Sequence, residues 1–185
     1  MNANSLGLEI NTFKEINSMA EKGGIVFLGS DYFASLPIGE LASVFNLNEK
    51  IFNRSLSGAT IESIGKVLDD CVFKLQPSKI FVNLGEVETQ NNMDISELIC
   101  AYEWLLYTIH GKISADIYVI SIMSDTGHAK EVNTALQRLC SEVNCKYIDI
   151  TPALNFTKPN LHVFNIIKFY VHSHPLDFAD IMSMR

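Results

Sequence analysis

The sequence predicts an α/β domain, a three-layer α/β/α sandwich around a five-stranded parallel sheet, and three observations carry that prediction. Short apolar runs of the kind found in strands buried on both faces recur along the chain. Segments of helical periodicity alternate with them, as right-handed crossovers between parallel strands require. The 185 residues suffice for one domain with its own core, and no repeat, linker or low-complexity segment divides them.

Each element follows in order. Leu8, Phe13, Ile16 and Met19 recur at roughly helical spacing over residues 8–21, with Lys14, Glu15 and Glu21 on the other side. Gly23-Gly24 ends this helix, and residues 25–28 form the first buried strand. Residues 36–45 read as helix, 50–54 as a short strand and 59–75 as a long helix. Pro77 breaks the chain before a strand at 79–84, which Gly85 closes. A polar loop, 86–93, leads to Asp94, a suitable N-cap for a helix running to His110. Gly111 stops that helix, and 116–123 is the most strand-like stretch of all. Residues 130–142 are helical through Val132, Leu136 and Leu139, and 146–150 is the last strand. Thr151-Pro152 opens an irregular segment, and the apolar tail, 162–184, reads as helix broken near Pro175. The expected organisation is a single domain over 1–185, with an N-terminal helix in 1–22 and a C-terminal extension at 171–185.

Composition narrows the functional classes. Fourteen basic against twenty-one acidic residues give a net charge of −7, and no Lys/Arg cluster stands out. Nucleic acid and anionic membrane surfaces would be repelled at long range, so neither is an expected partner. The apolar runs are too short to span a bilayer, and residues 1–11 lack the basic flank and apolar core of a secretory signal. The expected location is the cytoplasm. Cys71, Cys100, Cys140 and Cys145 form no CxxC pair, and three lie in apolar surroundings, which fits buried thiols better than a metal or redox site. Nothing in the sequence requires a cofactor or a metal.

In a parallel sheet the ligand lies at the carboxyl ends of the strands, which marks the loops after Leu28, Arg54 and Leu84. The residues there carry a resemblance. Residues 25–41, IVFLGSDYFASLPIGEL, are similar to the first block of the SGNH (GDSL-type) hydrolases, an apolar strand followed by Gly-Asp-Ser. Residues 51–60, IFNRSLSGAT, resemble the second block, and residues 79–88, KIFVNLGEVE, the third, which usually ends Gly-x-Asn-Asp. Residues 133–150, NTALQRLCSEVNCKYIDI, are similar to the family's final helix and strand. The likeness covers roughly residues 23–170 and is nearest to bacterial relatives of platelet-activating-factor acetylhydrolase. It implies a flavodoxin-like sheet, and an ester hydrolase with a serine nucleophile, a histidine base, an aspartate to orient it, and three oxyanion donors.

Several of those positions depart from the pattern. Asp31 stands where the serine belongs, and Ser30 where the aspartate belongs. A one-residue shift at a strand end reverses the direction of a side chain, so Ser30 would substitute only in a rebuilt turn. The oxyanion glycine is kept as Gly58, but Val87 replaces the asparagine and donates nothing. Glu86 and Glu88 beside it would oppose a developing negative charge, unless they simply face solvent; Asn83, in the strand body, is a poor substitute. The Asp-x-x-His block is matched by Pro159-Asn160-Leu161-His162, with the histidine present and the aspartate lost. Asp125-Thr126-Gly127-His128 has the same spacing but is expected to be an exposed loop, and His172 and His174 to sit at a helix end.

Three functional expectations follow. The first is an SGNH-like protein impaired or inactive toward esters that retains a pocket for a small ligand, another chain or a second copy of itself. For the last, the tail residues Phe164, Ile167, Phe169, Tyr170 and Phe178 offer an interface, with core packing the commoner role for such a stripe. The alternative is an active esterase or acetylhydrolase using Ser30 and His162. A further alternative is an acidic pocket in which Asp31, Glu86 or Glu88 and His162 bind a cation, or in which Asp31 is itself a nucleophile or base.

Overall fold

The computed structural model describes residues 3–172. Helix α1 (Ala3–Met19) precedes β1 (Ile25–Gly29), and two short helices follow, α2 (Asp31–Ser35) and α3 (Ile38–Val44). Strand β2 (Ile51–Asn53) leads to α4 (Ile61–Gly65) and α5 (Leu68–Cys71), then β3 (Lys79–Asn83) to α6 (Glu86–Gln90) and α7 (Ile95–His110). Strand β4 (Asp116–Ile120), α8 (Gly127–Glu142), β5 (Lys146–Ile148) and α9 (Pro159–Val171) follow within the described residues. The five strands are parallel in the order β2-β1-β3-β4-β5. The expected α/β/α sandwich is the observed one.

Alternation along β1 shows why its run is continuously apolar. Val26 and Leu28 enter one core with Ile64, Leu68, Leu105 and Leu136 from α4, α5, α7 and α8. Ile25 and Phe27 enter the other, with Phe33, Leu41 and Phe164 from α2, α3 and α9. Both faces exclude water, so both residue sets must be hydrophobic. On the second face Phe27, Phe81 and Tyr118 lie in register across β1, β3 and β4 and stack at 4.8 and 4.7 Å between ring centroids.

Several boundaries differ from expectation, each for a local reason. The helix expected over 59–75 is divided into α4, α5 and a 3-10 turn, Phe73–Leu75. Gly65 ends α4 where the Trp104 ring lies so close that an added Cβ would sit 2.4 Å from it. The helix expected over 36–45 starts only after Pro37, and 31–35 forms α2 by itself. The loop expected over 86–93 contains α6, because Gly85 at φ +94° turns the chain sharply enough to start a helix. The strands expected at 116–123 and 146–150 end at Ile120 and Ile148.

Of the exposed loop expected at 125–128, Asp125 and Thr126 are exposed and non-helical, but α8 already begins at Gly127: Thr126 caps it, its hydroxyl accepting the Ala129 N–H at 3.2 Å, and His128 lies in the first turn. The tail helix also begins earlier, at Pro159, a residue suited to a first helical position. Phe164 and Ile167 are core residues, which removes them from any surface interface, whereas Phe169 and Tyr170 are exposed. His172 pairs with Glu49 at 3.4 Å. His174, Pro175, Phe178 and most of the expected extension lie outside the described residues.

The thiols of Cys71, Cys140 and Cys145 are pushed up to about 11, 12 and 11 by burial, which keeps them protonated and unreactive; Cys100 is exposed. Among the described residues no helix is long and apolar enough to cross a membrane.

Gly29 is the tightest point of this framework. A Cβ there would meet the Asn83 carbonyl oxygen at 2.7 Å and Phe33 Cβ at 2.9 Å. Gly29→Ala is therefore expected to destabilise the fold by about 1–3 kcal/mol in chemical denaturation. Gly39→Ala, on an exposed turn of α3 with nothing within 4 Å of the added carbon, is expected to stabilise it by about 0.5 kcal/mol or leave it unchanged.

Candidate functional site

The parallel pairing of β1 with β2 and β3 brings the loops after Gly29, Asn53 and Asn83 to one edge of the sheet. Backbone hydrogen bonds lock them together there. The Ser30 N–H donates to the Asn83 carbonyl at 3.1 Å, and the Leu56 N–H to the Gly29 carbonyl at 3.0 Å. The Asn53 side chain donates to the Phe33 carbonyl at 2.9 Å, holding α2 against the second loop. The site thus sits on rigid strand ends rather than on free loop.

This packing settles the swapped pair. Ser30 is wholly buried, and its hydroxyl is enclosed with no hydrogen-bond partner among the described residues. Asp31, one residue on, turns outward at the start of α2. One carboxylate oxygen accepts the Gly58 N–H at 2.9 Å and the Ser57 hydroxyl at shorter range. Gly58 holds φ +70°, a conformation that presents its N–H toward α2 and suits glycine. It is Asp31, and not Ser30, that meets the Gly58 amide.

The third loop contributes a second carboxylate. Glu86 opens α6 and is half-buried; burial first, then the charge of Asp31, raises its carboxyl above the ordinary value, with the Tyr32 backbone amide offsetting part of this. Asp31 and Glu86 line a shallow cavity of about 470 Å3 with Tyr32, Ser57 and Glu9. The Tyr32 hydroxyl is pushed up to about 12 by burial. Glu9 reaches the cavity from α1, which is held in place by Asn17: its side chain donates to the Asp70 carbonyl at 2.7 Å and accepts from the Arg54 guanidinium at 2.7 and 3.0 Å.

The remaining expected residues are placed apart from this pair or serve the framework. Val87 is half-buried on α6 and supplies no donor. Glu88 does not face solvent: it is 4% exposed, and one oxygen accepts the Ile61 N–H at 2.7 Å, capping the start of α4. Asn83 is buried and donates to the Ser121 carbonyl at 3.0 Å. His162, in the first turn of α9, stacks on Phe156 at 3.6 Å between centroids and makes no ion pair among the described residues. Its nearest tie to the site is indirect, through the Tyr32 hydroxyl donating to Asn160 at 3.4 Å. Among the described residues no three His, Cys, Asp or Glu side chains are grouped to hold a metal, so Asp31, Glu86 and His162 are not a ligand set. Chemically the cavity offers acceptors, a half-buried phenol and an occupied amide; among the described residues it offers no base-activated nucleophile.

Ser57 was not foreseen as a site residue, and its one sequence signal is its place beside Gly58. Nor was Glu9, because nothing in an exposed helix announces which strand ends it will cover.

The sheet order, the crossovers and the site at the strand ends are those of an SGNH-hydrolase fold. No family model matches the sequence, and no curated protein matches it. Solved structures do match. A protein from Streptococcus pneumonia described as a platelet activating factor superposes with a TM-score of 0.79 at 16% identity, covering 90% of this chain and 92% of that one. The lipase/acylhydrolase from Enterococcus faecalis gives 0.66 at 16% identity, over 84% and 99% of the two chains. A GDSL-like lipase from Bacteroides thetaiotaomicron gives 0.68 at 11% identity, over 88% and 96%. At these identities the likeness is one of fold.

A carboxyl raised in the folded state binds its proton more tightly folded than unfolded, so it opposes stability at neutral pH and ceases to do so as pH falls. Glu86→Gln is accordingly expected to raise the melting temperature by a few degrees at pH 7. The gain should shrink toward zero as the pH falls to about 4, where the wild-type carboxyl is protonated. Thermal unfolding across that range checks the sign.

Proposed function

We propose that this protein is an SGNH-hydrolase-like domain, impaired or inactive toward esters, that retains its strand-end pocket for binding a small molecule. One observation carries the reading: the Asp31 carboxylate accepts the Gly58 N–H, the amide that the family resemblance makes an oxyanion donor. An ester substrate would have to displace a resident anion from its own oxyanion site. The tetrahedral intermediate would then develop negative charge beside the carboxylates of Asp31 and Glu86, which repel it. Val87 removes a second donor, a loss that lowers rates by about 10²–10³ in other acyl-transfer enzymes.

The other three requirements are weakened as well. Ser30 has a hydroxyl but no base near it, and its enclosure leaves no approach for an acyl carbon. His162 has lost the aspartate that would fix its tautomer, since Pro159 begins α9 at that position. What survives is a pocket that favours neutral or cationic hydrogen-bond donors over anions.

A fluorophosphonate probe, which phosphonylates an activated serine with loss of fluoride, is expected to leave the protein unlabelled, and p-nitrophenyl acetate is expected to turn over no faster than in buffer. Labelling that disappears in Ser30→Ala would show a working serine and overturn the reading.

A further inference from the structure

On one face of the sheet α7 packs between α4 and α8. Its inner side is buried through Leu98, Tyr102, Leu105, Leu106 and Ile109. Its outer side carries Glu97, Cys100, Trp104, Tyr107 and, just past the helix end, Gly111, all exposed and spaced alternately three and four residues apart. That is the spacing by which a helix offers one seam to another helix. A face turned only to water has no use for it and is ordinarily polar. Here the seam is centred on the chain's one tryptophan, 53% exposed, with Tyr107 one turn on at 58%.

Trp104 is also braced. One edge of its ring lies on Gly65 of α4, where any side chain would collide with it, and the rest of the ring stays open to water. An aromatic side chain already held in place loses little freedom on association, and tryptophan and tyrosine are the residues that most often anchor interfaces.

We infer that this face of α7 is a docking surface for a second copy of the same chain, the two α7 helices packing antiparallel about a two-fold axis. Charge selects this occupant. Glu97 lies in the first turn of α7, His110 in the last, and Lys112 just beyond it. Among the described residues neither Glu97 nor Lys112 has an ion-pair partner. The face is therefore acidic at one end and basic at the other, and an antiparallel copy sets each end against its opposite. Opposed helix dipoles favour the same arrangement. In the register where Trp104 of each copy meets Tyr107 of the other, Glu97 lies toward Lys112 and Cys100 toward Gly111, which has no side chain to obstruct it. A parallel pair would instead oppose Glu97 to Glu97 and Cys100 to Cys100.

Other occupants fit less well. An anionic membrane surface is repelled by the net charge of −7. A partner carrying charge of one sign satisfies one end of the seam and is repelled by the other. The inference uses no residue of the strand-end pocket, so it stands or falls separately from the reading of that pocket.

The test is sedimentation velocity on the full chain from about 1 to about 500 μM. A monomer–dimer equilibrium in the micromolar range is expected, since one helix seam buries less than a standard interface. Emission from Trp104 is expected to move to shorter wavelength as the dimer forms. Trp104→Glu and Tyr107→Glu are each expected to weaken dimerisation about tenfold or more. Tyr107→Glu carries the test if Trp104→Glu disturbs the contact with Gly65. Glu97→Lys is expected to weaken the dimer about threefold, and Lys112→Glu added to Glu97→Lys to restore it. A monomer throughout the range overturns the inference, as does a dimer that forms equally well in Tyr107→Glu. So does an oxidised dimer linked through Cys100, because the antiparallel register holds those two thiols roughly 16 Å apart along the helices.

Discussion

The close approach of β1 to β3 at Gly29 governs everything at the functional end of this molecule. With no side chain at Gly29, the Asn83 carbonyl can sit where a Cβ would be and accept the Ser30 N–H. That bond fixes the direction in which the chain leaves the sheet. It turns Ser30 into the interior and Asp31 out toward the loop after β2. The aromatic stack of Phe27, Phe81 and Tyr118 holds the same strands in register beneath it, so the geometry is supported by the core and is costly to shift.

From that direction follows the electrostatic character of the site. A short polar side chain in place of Asp31 would leave the Gly58 amide open to an incoming carbonyl oxygen. The carboxylate instead satisfies the amide permanently, and the Ser57 hydroxyl adds a second bond. Charge-assisted hydrogen bonds of this kind are the strong ones, so the site is stable as it stands. Its chemistry is that of an acceptor-lined cleft, the reverse of the donor-lined hole needed to stabilise an oxyanion.

How far the sequence disclosed this depends on which forces act locally. The five strands were legible because burial on both faces forces continuous apolar runs, as in residues 25–28 and 79–84. The capping of α7 by Asp94 was legible because it needs only neighbouring residues. The division of 59–75 was not, since Gly65 yields to a Trp104 ring from another helix. Nor was the burial of Glu88, whose partner Ile61 lies 27 positions away in the chain. In each case the deciding contact is long-range in the chain.

The Gly29-Ser30-Asp31 turn divides the two kinds of information. By itself the sequence determined the sheet and its crossovers, and it put Asp31, Val87 and Pro159 at positions where the resemblance implies other residues. These are matters of periodicity and residue identity. Only the tertiary structure decided that Ser30 is shut inside and that Asp31 occupies the Gly58 amide. The physical reason is that side-chain direction at a strand end depends on what the neighbouring strand leaves room for, and the residue paired with Gly29, Asn83, is far away along the chain.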